Sequence, residues 1–342
     1  MRDNFAGEGA DGDASTFPGG ASLRSADGRR GWVLADEHAH RALGAALIWA
    51  RQFDIAELHV LVDDADAPGA LARRAGEFLA PPVVWQVVGR EIVAVEPTAA
   101  AGAGAGTGAG AGAGAGTEAG AEAGTEAGAD ESFVSMLASA GAEPVVEHGA
   151  LVGEVLGLEV ARVVDGQLEV GVGKHDREAQ KLMHADRPTY ESLVAAVAAV
   201  RAVRFAGAQP HQMNQLAAER WLRAVVCARP ALVGAASLRP VSSTVPRPDL
   251  RISAPAPALG EDADGQPVVV VCSVGIDVDL VPVAADARLV HSPEARLVLV
   301  VPEVDAHPVT YSLAAALRRP AEVVTVPADW RSLTPPAPAA EL

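Results

Sequence analysis

Five ionisable side chains between positions 159 and 178 stand out in this sequence: Glu159, Glu169, Lys174, Asp176 and Glu178. A carboxylate on one strand and another on its hairpin partner can share a hard divalent cation such as Mg²⁺ or Mn²⁺ through oxygen ligands. A lysine at the end of the second strand is then placed to meet developing phosphoryl charge. The same pattern has a second reading. Cross-strand acid and base pairs on the wet face of a β-ribbon add up to about 1 kcal/mol each and do no chemistry.

The elements that position these residues are legible. Residues 158–164 are rich in β-branched side chains and predict a strand. Asp165-Gly166 favours positive φ and closes a hairpin. From Leu168 to Gly173 the chain alternates strictly, with Glu169, Gly171 and Gly173 on one face. Glycines there leave room for a backbone or a ligand to approach. Lys174-His175-Asp176-Arg177-Glu178 then leads into a helix.

A hairpin with an acid on each strand, then a lysine, then a helix resembles the core of the PD-(D/E)XK, restriction-endonuclease-like nucleases. Four residues separate Glu169 from Lys174 here, where the family has one. The resemblance implies metal ligation by Glu159 and Glu169, with Lys174 facing phosphate. Asp176 or Glu178 would be a further ligand or base. It also implies nucleic acid as partner, through a local site, and Mg or Mn as cofactor. The alternative expectation is a non-catalytic α/β binding or scaffolding protein.

Composition narrows the classes. The net charge of −17 excludes a general nucleic-acid coat, which needs clustered lysine and arginine. Lysine occurs only at Lys174 and Lys181. Hydrophobic residues make up 49% and aromatics only 4%, so the core must be built from Val, Leu and Ala. Cys227 and Cys272 lack metal-ligand spacing and fit a reduced, cytoplasmic setting. No signal-peptide core or membrane-length apolar window is present.

Along the chain, residues 1–30 read as a disordered lead-in, and 31–96 as a β-α-β-α-β unit with Asp36 as a helix cap. Residues 97–131 form an Ala/Gly-rich flexible linker. Residues 132–235 hold the hairpin and helices, with Leu193, Val197 and Val200 on one helical face. A Pro-rich connector spans 236–266, a second α/β unit 267–330, and a tail 331–342. The run Leu58–Val62 then Asp66-Ala67-Pro68 matches Leu297–Val301 then Asp305-Ala306-His307-Pro308. We therefore expect an internal duplication within an α/β fold.

Other groups are weaker. Asp63, Asp64 and Asp66, and Glu303, Asp305 and His307, lie beyond strand ends, where α/β sheets bind ligands. Their simpler role is helix capping by Asp66 and Asp305. His38 and His40 face different sides of a helix. Gly171-Val172-Gly173-Lys174 lacks the glycine spacing and the Ser/Thr of a phosphate loop. Glu219-Arg220-Trp221-Leu222 reads as ordinary amphipathic helix, with Trp221 in the core.

Overall fold

A computed structural model describes residues 12–36, 39–63, 68–89, 91–98, 131–183, 188–247 and 249–335. Residues 99–130 of the expected flexible linker, His38, Asp64, Asp66 and the end of the tail lie outside the described residues, and Glu131 belongs to a helix. The fold is α/β, as expected, and divides into two compact units. The first comprises Met1–Gly102, Gln266–Val271 and Gly275–Val326. The second comprises Ala103–Gly265, Cys272–Val274 and Pro327–Leu342. No helix among the described residues is long and apolar enough to cross a membrane.

In the first unit, β3 (Arg30–Ala35), β4 (Glu57–Val62) and β5 (Val83–Val88) run parallel and adjacent. The helices α1 (Leu43–Gln52) and α2 (Pro68–Ala75) connect them. Antiparallel β6 (Glu91–Ala94) closes one edge. The other edge corrects the expected lead-in. Asp13–Phe17 (β1) and Gly20–Arg24 (β2) form a hairpin on β3, in the order β1-β2-β3-β4-β5-β6. Pro18-Gly19, with Gly19 at φ 71°, makes the turn, and Phe17 and Leu23 are buried.

The later half of this unit has β13 (Pro267–Cys272), α7 (Leu280–His291), β14 (Arg296–Pro302), α8 (Pro308–Ala315) and β15 (Glu322–Val326). Strands β14 and β15 pair in parallel. Helices α1 and α2 pack on α7.

Buried charges around this helix contact have partners of opposite sign. Asp286 on α7 is fully buried and accepts from Arg73 Nε at 2.6 Å and Arg74 Nε at 2.9 Å. Arg288 meets Glu77 at 3.1 Å, and Arg41 meets Asp277 at 2.8 Å. The α1 cap also departs from expectation. Its N-cap residue, Ala42, has no capping side chain. Asp279, far away in sequence, accepts from the Gly44 amide at 2.8 Å and satisfies an orphan donor of the first turn.

The second unit holds a four-stranded antiparallel sheet in the order β10-β9-β8-β7 where a lone hairpin was expected. Its strands are β7 (Glu143–Glu147), β8 (Ala150–Val155), β9 (Leu158–Val164) and β10 (Gln167–Val170). Helix α3 covers residues 131–139. Helices α4 (Gly173–Met183), α5 (Thr189–Arg201) and α6 (Ala218–Ala228) follow. Leu193, Val197 and Val200 join Leu158, Val160 and Leu168 in one core, as the helical spacing predicts. The expected irregular connector contains an antiparallel pair, β11 (Ser237–Pro240) and β12 (Ala256–Glu261).

Burial pushes the Asp279 carboxyl up to about 7, against the opposing Gly44 hydrogen bond, and Asp277 adds to the rise. A raised carboxyl stabilises the fold fully below the unfolded value of roughly 3.9 and loses that contribution as pH climbs through about 7. The thermal stability of the first unit should therefore fall between about pH 4 and pH 7 and level off above. Asp279→Asn keeps the acceptor and should flatten that dependence. An equal pH slope in the variant would exclude Asp279 as its source.

Candidate functional site

The predicted cluster sits on β9, β10 and the start of α4, and its local geometry follows from two irregularities. Leu156 and Gly157, at φ 48° and 74°, turn β8 into β9. A Cβ on Gly157 would lie 2.2 Å from the Arg220 carbonyl carbon, so α6 fixes glycine at this turn. The register then slips between Gly153 and Glu154. Gly153 faces Ala161 while Glu154 faces Glu159, which leaves Val160 as the extra residue of a bulge. Strict alternation would put Glu159 and Arg162 on opposite faces. The bulge breaks it, and the two side chains meet.

Glu159 is buried and both of its oxygens are taken. Arg162 Nε donates to Oε1 at 2.9 Å and Arg162 Nη2 to Oε2 at 2.7 Å. Arg177, from α4, donates to Oε1 at 2.7 Å. Glu169 lies directly across the ladder from Arg162 and is half-buried. Asp176 reaches back to accept from the Val172 amide at 2.7 Å, just ahead of α4. Lys174 is 79% exposed and 3.9 Å from Glu178, an i,i+4 pair on the wet side of the helix.

These residues do not converge. Glu159 points inward onto two guanidiniums, while Lys174 and Glu178 point into solvent. The set does not fit a divalent cation, which needs several oxygens free to face one centre. No group of three or more His, Cys, Asp or Glu side chains with that capacity occurs among the described residues. The strand expected through Gly173 ends at Val170, and Gly171 just beyond it makes room for backbone. A Cβ on Gly171, at φ 145°, would come within 2.7 Å of the Arg177 amide nitrogen. The first turn of α4 occupies that space.

The densest charge cluster was not visible as such in the sequence. Glu154, on β8, is 1% exposed. It accepts from Arg223 Nη2 at 2.6 Å and from Arg220 Nη1 at 3.0 Å, both on α6. Arg220 Nη2 also meets Glu147 of β7 at 2.9 Å. Glu219 is held by Arg247 at 3.0 Å and by the Ser253 hydroxyl at 2.5 Å. Far from being an ordinary amphipathic stretch, Glu219, Arg220 and Arg223 are all buried. The visible signal was Arg220 and Arg223 three apart, on one helical face beside Trp221. Trp221 is core, as expected, donating to Thr334 Oγ1 at 3.1 Å.

Desolvation alone would raise the Glu154 carboxyl, but Arg223 and Arg220 outweigh it and hold it below the usual range. Glu143, opposite Glu154 in the ladder, shows the reverse. Burial raises its carboxyl, and the neighbouring Glu154 charge adds to the rise.

The groups beyond the strand ends separate. His307 caps α8, its Nδ1 accepting from the Val309 amide at 3.2 Å. Asp305, expected to be that cap, accepts from the Gly275 amide at 2.8 Å instead. Glu303 and Asp63 are exposed, and His40 lies in a 3-10 turn before α1.

Glu154→Gln should destabilise the second unit by about 3–5 kcal/mol, because it leaves two buried arginines short of a counter-charge. A lowered carboxyl contributes stability above its unfolded pKa and loses it as pH falls, so wild type should weaken towards the variant below roughly pH 4.3. Urea midpoints at pH 7 and pH 3.5 test both statements. Equal midpoints at pH 7 would remove the network from the stability of the unit.

No family model, curated protein or solved structure matches this chain, so the reading of the site rests on its own geometry.

Proposed function

We propose that this chain is a non-catalytic α/β binding or scaffolding protein. The observation that carries this reading is the closure of Glu159. A metal-dependent phosphodiesterase needs that carboxylate open to an ion and Lys174 near the same point. Here Arg162 and Arg177 occupy the carboxylate, and Lys174 lies out in solvent. Ion pairs of this kind order a sheet and its helices, which is what a rigid binding scaffold requires. The net charge of −17 agrees, since it repels a polyanion. The unpaired thiols of Cys227 and Cys272 fit a reducing, cytoplasmic setting. In this reading β3-α1-β4-α2-β5 and β13-α7-β14-α8-β15 are copies of one unit, supported by their shared order of elements.

Incubation of the full chain with labelled single- and double-stranded DNA and RNA, with Mg²⁺ or Mn²⁺, should give no cleavage. Metal-dependent cleavage abolished by Glu169→Gln and by Lys174→Ala would overturn the reading. In the same proteins, Lys174→Ala should change stability by no more than about 0.5 kcal/mol, as surface substitutions do. Glu159→Gln should cost about 1–3 kcal/mol, because it weakens acceptors that two part-buried arginines use.

A further inference from the structure

The first unit carries an open-sided cavity of about 330 Å³. It opens at the N-terminal ends of β4 and β5, opposite the end where open α/β sheets usually take ligands. Its volume lies at the lower end of the roughly 300–1,000 Å³ typical of small-molecule sites. The wall is apolar, with Leu47 and Ala50 from α1, Leu58 from β4, and Phe78 from the loop after α2. The lining also includes two charged residues, Arg51 and Glu57.

Those charges are placed and only partly used. Arg51 Nη1 donates to Ser312 Oγ at 2.8 Å and Nη2 to the Ser312 carbonyl at 3.1 Å. That fixes the guanidinium and commits two of its five donors. It has no carboxylate partner among the described residues. Glu57 is more than half exposed and touches the His59 ring, with Nε2 at 3.4 Å. The His59 Nδ1 accepts from Trp85 Nε1 at 3.1 Å, which places the ring proton on Nε2, towards Glu57. Arg51 and Glu57 make no ion pair with each other. The cavity therefore presents one hydrogen-bonded cation and one exposed anion beside an apolar wall.

We propose that this cavity binds a small zwitterion with an apolar body, of the class of an α-amino acid with an aliphatic or aromatic side chain. Its carboxylate meets Arg51, its ammonium meets Glu57, and its side chain fills the space lined by Leu58 and Phe78. A neutral apolar molecule would leave both charges unused, and a simple apolar carboxylate would meet the like charge of Glu57. The proposal rests on the reading of the chain as a binding protein.

Calorimetric titration of the full chain with L-leucine and L-phenylalanine tests it. Saturable binding of at least one is expected. Glycine, leucine amide and 4-methylpentanoate, which lack the body, the carboxylate and the ammonium respectively, should bind at least tenfold more weakly. Arg51→Gln should weaken the amino acid at least tenfold, and Lys174→Ala should leave it unchanged. Absence of saturable binding by either amino acid, equal binding of 4-methylpentanoate, or full affinity in Arg51→Gln would overturn the proposal. Metal-dependent cleavage with amino-acid binding intact would remove the non-catalytic reading alone. No binding together with no cleavage would remove the cavity assignment alone.

Discussion

A carboxylate cut off from water persists as an anion only beside cations that are held still for it. Glu154 is the point where the second unit meets that requirement. Its two oxygens take one guanidinium each, from Arg220 and Arg223. Much of the local covalent design follows. Helix α6 must press on the β8–β9 turn, so position 157 must be glycine. Arg220 must also serve Glu147, which ties β7 to the same helix. The Glu159 facing Glu154 across the ladder would repel it, and Arg162 and Arg177 remove that conflict.

The first unit solves a related problem with different residues. Its core is drawn mostly from valine, leucine and alanine, with Phe17, Trp32 and Phe78 among them. Arginine stems are buried beside this core while their heads find partners. Arg288 is among the largest fully buried side chains of the chain, with Arg204 and Arg223 in the second unit. Arg204 illustrates the cost of that choice. Burial, with Arg331 nearby, lowers its guanidinium to about 9, and its donors go to the Leu156, Met213 and Leu216 carbonyls. Buried ion pairs such as Arg288 with Glu77 give modest net stability and strict geometry, because any displaced partner leaves a bare charge.

This division explains what could be seen in the sequence. Strands β4 and β9 fall at the expected residues, and the Leu193, Val197, Val200 stripe is buried, because local apolar periodicity decides those cases. Strands β1, β2 and β8 were missed. They are polar or glycine-interrupted, and pairing with a neighbour makes them strands. The charge partners were harder still. Asp286 and Arg73 are 213 residues apart, and Glu159 and Arg177 are 18 apart. A sequence displays which residues carry charge, but which charges cancel depends on tertiary distance. The location of the dense cluster was therefore legible, and its saturation was not.

Saturation is also what separates the two charged regions chemically. A group becomes reactive when burial perturbs it and its neighbours leave it incompletely compensated. Glu154 and Glu159 are buried, but every oxygen of theirs has a cationic donor, so they are spent on structure. Lys174 and Glu178 are uncompensated only in the sense that water surrounds them, which levels their properties. Arg51 and Glu57 are also solvent-exposed, and what sets them apart is that they border an apolar cavity. Each is oriented by a neutral or weak partner, Ser312 in one case and His59 in the other, and neither neutralises the other. Opposite charges that do not pair with each other, beside an apolar wall, suit a ligand that carries both signs. The proposed ligand site is therefore this cavity, where the charges are not spent on each other, and not the crowded hairpin, where they are.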